Sequence, residues 1–167
     1  IRINDISDKT ASFNIGLGSE SAVLFFTNDK DTTNHVATED DKNTVETNVE
    51  TLDYMLSDRE PTLIKIDVEG YEREVLTGSV NTLAKQNLKA IIVELVDHSN
   101  KYGYSNQDIH EKLLAYGFSP YGYDPFKRKL LEKKDNSSKN TLYIRDFEFV
   151  DDRLRKSESV EISGVIF

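Results

Sequence analysis

Two nearly unbroken aliphatic runs, Leu63–Val68 (LIKIDV) and Ala90–Val96 (AIIVELV), stand about one helix length apart in the chain. No other feature restricts the fold as much. Strands covered on both faces read this way, and a parallel sheet is where such strands occur. Between the runs, Val75, Leu76, Val80, Leu83 and Ala84 recur at helical spacing, so Tyr71 to Gln86 reads as one helix. Beyond them, Ser105 and Asp108 form a loose capping-box pattern, Ile109, Leu113 and Leu114 share one face, and Gly117 stands at the stop position. Strand, helix, strand, helix at this spacing predicts an α/β fold with right-handed crossovers and a parallel sheet.

After Gly117 the pattern changes. FSPYGY, KRKLLE and TLYIRD, with a polar DNSSKN turn, predict antiparallel strands, and SGVIF a last short one. Asp151 to Ser159 reads as a charged tail. Upstream, IRINDISD reads as a helix end running into a turn, ASFNIGL as a half-buried strand and SAVLFF as a strongly apolar one. Thr27 to Asn48 is rich in Thr, Asn and Asp and predicts a long polar loop, while Thr47 to Leu56 begins extended and closes in a helical turn.

The 167 residues suit one domain. Thirty acids against 21 bases give a net charge of −9, which argues against a protein that coats nucleic-acid backbones. Charge is uneven: Glu39–Glu60 carries eight acids and two bases, and Lys127–Lys134 five bases and one acid, as solvated faces or a hairpin end would. Cysteine is absent, so no disulfide framework or thiolate metal site is possible. No apolar run approaches the roughly 18 residues of a membrane span, and a cytoplasmic location is the expectation. The chain begins with Ile1 and reads as a piece of something longer.

In open parallel sheets, ligands bind beyond the carboxyl ends of the strands. Asp67 and Glu69 stand at that end of the first run, and Glu94 near that end of the second. Gly70 allows a tight reversal or a close backbone approach. Helix capping is the competing reading for Asp67 and Glu69, and an ion pair with Lys65 or Arg73 the competing reading for Glu94. His35 in the polar loop and His98 after the second run are candidate bases. A divalent cation on Asp67, Glu69 and Asn34 has suitable oxygen donors but no distinctive spacing, so no metal is assigned. Tyr121 and Tyr123 could stack on a sugar or adenine ring, or pack in the core.

LIKIDVEGYEREVLTG, followed by AIIVEL, closely resembles the FkbM family of methyltransferases, as do NVETLDYML upstream and GYDPFKRKLLEKK and NTLYIRD downstream. The resemblance covers most of residues 1–147, leaving 148–167 as a C-terminal extension. It implies a Rossmann-like class I methyltransferase fold, N-terminally truncated, with parallel strands followed by an antiparallel C-terminal pair. It also implies S-adenosyl-L-methionine as cofactor, and a hydroxyl on a sugar, glycan or secondary metabolite as acceptor. The family's opening strand, glycine-rich turn and ribose-binding acid have no counterpart here. Gly16 and Gly18 match its third-strand turn by position. The fragment alone is therefore expected to be inactive.

On that resemblance Asp67, Glu69 and His98 are the catalytic candidates, and Asp67, Gly70 and Asp53 the cofactor-binding ones. Glu94, Asn34, His35 and Tyr123 would meet the acceptor. A hydroxyl is a poor nucleophile while protonated, so a carboxylate beside it has a clear task. Two rivals are a non-catalytic scaffold domain and a phosphotransfer enzyme with Asp67 as nucleophile. The second usually has another Asp two positions on, where this chain has Glu69.

Overall fold

A computed structural model of the chain describes residues 6–95, 102–133, 140–162 and 164–166. The two aliphatic runs become β4 (Leu63–Ile66) and β5 (Ala90–Glu94), paired in parallel from Leu63 opposite Ala90 to Ile66 opposite Val93. Before them, β1 (Gly16–Leu17), β2 (Ala22–Thr27) and β3 (Thr44–Glu50) make a small sheet in the order β1-β3-β2, followed by the short helix α1 (Leu52–Met55). Two helices, α2 (Glu72–Thr77) and α3 (Val80–Ala84), connect β4 to β5. Helix α4 (Asn106–Ala115) leads to β6 (Ser119–Asp124), β7 (Lys129–Glu132) and β8 (Asn140–Ile144). The chain then forms α5 (Phe147–Lys156) and the hairpin strands β9 (Glu161–Ile162) and β10 (Val165–Ile166).

The main sheet has the order β4-β5-β8-β6-β7. Strand β8 is antiparallel to both β5 and β6, so β6 runs in the direction of β5 but is separated from it. One face is sealed. There Ile66, Ile91, Val93 and Tyr143 pack against Val75, Leu76 and Leu83 of α2 and α3 and Ile109 and Leu113 of α4. The other face carries Ala90 and Ile144, with Val150 and Leu154 of α5 set against them. Helix α4 starts with the capping box expected of Ser105 and Asp108, and Gly117 takes a left-handed φ of +82° just past its end.

Five expectations need correction. The polar loop ends at β3, six of whose seven residues, 44–49, pair with β2; Phe26 also bridges Val36 inside the loop. Strand β3 is polar because only part of it is covered, Val49 being buried while Glu46 and Asn48 face solvent. The single long helix is two, broken at Gly78 and Ser79. A Cβ on Gly78 would lie 2.0 Å from the carbonyl oxygen of Gly18, so the break is a backbone-to-backbone contact that only glycine permits. Of ASFNIGL, only Gly16–Leu17 is strand. The parallel sheet is a mixed one with a single parallel pair; the segments FSPYGY, KRKLLE and TLYIRD do give three antiparallel strands, β6, β7 and β8, where the resemblance implied a pair. The charged tail begins as α5, capped by Asp146 and laced by the pairs Asp151–Arg155 and Asp152–Lys156 at helical spacing.

Candidate functional site

The carboxyl ends of β4 and β5 hold the site. Residues 67 and 94 follow one row beyond the Ile66–Val93 pair, which places Asp67 and Glu94 side by side. Their carboxyl groups share a hydrogen bond, and Lys65 Nζ forms an ion pair with Asp67 Oδ2. The Lys65 ammonium holds Asp67 below the usual carboxylate range, with the bond to Glu94 adding to the effect against some desolvation. That same bond pushes Glu94 up, helped by desolvation and the charge of Asp67. The pair is therefore polarised, with Asp67 the ionised member and Glu94 the one that keeps a proton to higher pH. The Asp67 side chain is 38% exposed, so solutes reach it.

The turn after β4 is built to present these groups. Glu69 and Gly70 take consecutive left-handed conformations, φ +51° and +96°. A left-handed glutamate is strained by about 1 kcal/mol or more, so neighbours must hold it. They do. Glu72, the first residue of α2, is 1% exposed, and its Oε1 accepts the Gly70 N–H at 3.1 Å. The Tyr104 hydroxyl donates to the Gly70 carbonyl, and Arg73 N–H donates to the Tyr104 oxygen at 3.3 Å. Burial raises both Glu72 and Tyr104 above their ordinary values. Sequence reasoning missed Glu72. Its signal was its place as a first-turn acid two residues after the glycine, where a side chain can reach back to free amides.

The other candidates do not gather with Asp67 and Glu94. Asp53 accepts N–H bonds from Asn81 (2.9 Å) and Thr82 (2.7 Å) and so caps α3. Both of its oxygens are engaged, and those bonds hold it ionised against its desolvation. Asn34 holds its own loop, accepting from Lys30 N–H at 3.1 Å and donating to the Asp31 carbonyl at 2.9 Å. The His35 ring lies between the Thr33 carbonyl (3.0 Å) and Asp41 (3.4 Å). That loop reaches the rim through Tyr102, whose hydroxyl donates to the Val36 carbonyl at 2.8 Å and whose ring meets Tyr71 edge-on at 5.2 Å. His98 lies outside the described residues. Tyr123 lines a groove on the second face of the sheet, away from the Asp67 turn. His110 is buried against the Tyr143 hydroxyl at 3.0 Å. Among the described residues no group of three metal-binding side chains converges, and no helix is long and apolar enough to cross a membrane.

An α/β sheet with carboxylates gathered at the ends of its parallel strands defines the class, one that binds ligands at its strand ends. The comparisons refine it. A family model for the methyltransferase FkbM domain matches residues 3–120, and the chain belongs to that family. The fold is similar to the crystal structure of methyltransferase FkbM from Methylobacillus flagellatus KT, with a TM-score of 0.52 at 15% identity. The match covers 86% of this chain and 30% of that one, so the chain spans about a third of its structural neighbour. No curated protein matches it.

Proposed function

We propose that the chain is the acceptor-side part of an S-adenosylmethionine-dependent methyltransferase domain of Rossmann-like fold that methylates a hydroxyl of a sugar or secondary metabolite. One observation carries the reading: the polarised Asp67–Glu94 pair at the ends of the parallel strands of a chain in the FkbM family. Residues 1–147 are then the partial domain, and 148–167 an extension whose α5 packs on the sheet.

The rim suits the cofactor. Asp67 is an ionised, half-exposed carboxylate able to take an ammonium group or ribose hydroxyls, and the buried Gly70, its N–H held by Glu72 and its carbonyl by Tyr104, shapes the turn beside it. The GLG turn does not suit it, since a Cβ on Gly16 or Gly18 would lie 2.9 or 2.8 Å from Val49. The chain's own side chains fill that space. When bound, the cofactor supplies an electrophilic methyl group on sulfur. Asp67 orients the acceptor hydroxyl and takes its proton, and Glu94 lies beside it at the end of β5. Glu72 and Tyr104 hold the turn that follows Asp67. Proton removal by a positioned base contributes roughly 10²–10⁴-fold in rate.

The test is Asp67→Asn in the full product of the gene, assayed with S-adenosylmethionine and a panel of hydroxyl acceptors. Methyl transfer should fall about a hundredfold with unchanged thermal unfolding. Activity within about threefold of wild type, well under 1 kcal/mol of barrier, overturns the role. The filled Gly16–Gly18 turn favours the scaffold reading instead, and no transfer to any acceptor by the wild type would support it.

A further inference from the structure

The basic run that starts at Lys127 plays no part in the reading above, and it belongs to the β6–β7 hairpin. Strand β7 is the outer strand of the main sheet, at the opposite edge from β4. Asp124 and Lys129 form the last pair of the ladder, so residues 125–128 make the tip.

The tip is held in shape from both sides. Asp124 Oδ1 accepts the N–H groups of Phe126 and Lys127, both at 3.1 Å, and Pro125 fixes the φ of the first tip residue. Arg128 closes the turn in a left-handed conformation, φ +48°, which a residue with a Cβ normally avoids. Its guanidinium is fastened to the chain after α5, donating to the Ser157 and Glu158 carbonyls at 2.7 and 2.9 Å.

This frame holds out an aromatic ring among cations. Phe126 is 71% exposed, the most of any large apolar side chain among the described residues. The Lys127 side chain beside it is 77% exposed even while paired with Asp124 at 3.6 Å, and Lys129 is exposed at the head of β7. Residues 124–133 carry four bases and two acids, in a chain whose acids outnumber its bases 30 to 21. Charges are screened beyond roughly 8 Å at physiological ionic strength, so this local excess, and not the net charge, decides what meets the tip.

One ring offers too little apolar area for a protein interface, which takes about 800 Å² on each side. A bilayer makes no such demand. Aromatic rings settle at the level of its headgroups, and lysines beside them are drawn to anionic lipid. We propose that the β6–β7 tip docks the protein on an anionic membrane surface, with the Phe126 ring among the headgroups and Lys127 and Lys129 against lipid phosphates. The contact is reversible, as one small anchor with a basic patch implies.

Vesicle sedimentation with the full product of the gene tests this, using vesicles of phosphatidylcholine alone and of phosphatidylcholine with phosphatidylglycerol in equal parts. Binding should require the anionic lipid and weaken as salt is raised. Phe126→Ser should weaken it about tenfold, and Lys127→Gln or Lys129→Gln about fivefold each. Tyr54→Ser removes a ring of similar exposure, 68%, on α1, and should bind as wild type does. Each substitution changes an exposed residue, so folding is retained, and thermal unfolding checks it. No binding to anionic vesicles would overturn the proposal and leave the tip to an acidic protein partner. Equal binding to both kinds of vesicle, or a Phe126→Ser variant that binds as wild type does, would overturn it as well.

Discussion

The two ends of the main sheet both concentrate charge, and they use it in opposite ways. At the amino end of β5, Arg145 follows β8 and places its guanidinium against the last carbonyls of two helices. It donates to Tyr116 after α4 and to Leu83, Lys85 and Leu88 around the end of α3, while stacking 4.1 Å from the Phe118 ring. All three nitrogens of the group donate. At the carboxyl end, among the described residues, Asp67 and Glu94 make one bond to each other and one to Lys65, and the Asp67 side chain is 38% exposed. A charged group whose bonds are all made within the chain is a fastener. One with capacity in reserve at a strand end is available to a ligand.

The first way to break the comparison is to cut the fastener. Arg145→Met should remove five donor contacts and leave several helix-terminal carbonyls short of partners, lowering stability by about 3 kcal/mol or more. Urea denaturation measures it. Arg145→Lys should recover little, because one ammonium cannot span carbonyls on two helices. A loss below about 1 kcal/mol for Arg145→Met would mean that water replaces the guanidinium readily and the contrast fails.

The turn at the other end comes next. Gly70→Val places a β-branched side chain at φ +96°, a region closed to it, directly after the already left-handed Glu69. The variant should lose about 2 kcal/mol and expose the Gly70 amide to hydrogen exchange as the Glu72 bond breaks. Wild-type exchange at that amide in a folded variant would show that Glu72 does not hold the turn.

What could be read in the sequence divides along similar lines. Strands β4 and β5, the Ser105–Asp108 cap, the Gly117 stop and the β6–β8 antiparallel region were legible because local pattern determines each. Gly70 was also legible, as a glycine needed at a strand-to-helix reversal, and its φ is positive. The break at Gly78 was not, since its cause is the Gly18 carbonyl, 60 positions upstream. Arg145 sits in a strand-like TLYIRD and gave no sign of its four carbonyl partners. Helix α5 was hidden by its composition, for only Phe147, Val150 and Leu154 mark its apolar side among eight charged or polar neighbours in and just before it. Of the site, the strand-end carboxylates were legible from topology. Asp53 and Asn34 were read for ligands and are found holding α3 and the Asp31 turn.

A smaller effect probes Glu72. Burial raises its folded-state value above the ordinary carboxylate, so the folded chain binds this proton more tightly than the unfolded one. Its contribution to stability is therefore fully present below the unfolded value of 4.5 and is lost as pH rises through the folded one. Glu72→Gln keeps an acceptor for the Gly70 N–H and removes the titration. Relative to wild type it should gain stability at pH 7 and none at pH 4. A gain that does not change with pH would place the desolvation elsewhere.

The smallest expected change in stability belongs to the residue with the largest expected role in chemistry. Asp67 and Lys65 are both substantially exposed, and exposed ion pairs contribute roughly 0–1 kcal/mol. Asp67→Asn should thus unfold within about 0.5 kcal/mol of wild type. Its signature lies on Glu94 instead. The wild-type Glu94 is held up first by its hydrogen bond to Asp67, then by desolvation and the charge of Asp67. An amide at position 67 removes the charge and can donate to the Glu94 carboxylate, and both changes favour its ionised form. The Glu94 midpoint, followed by carboxyl carbon resonances across an acid titration, should move down in the variant. Lys65→Met should move the Asp67 midpoint up, since the ammonium is the first cause of its depression. If neither midpoint moves, the two strand-end carboxylates titrate independently and the rim is not polarised.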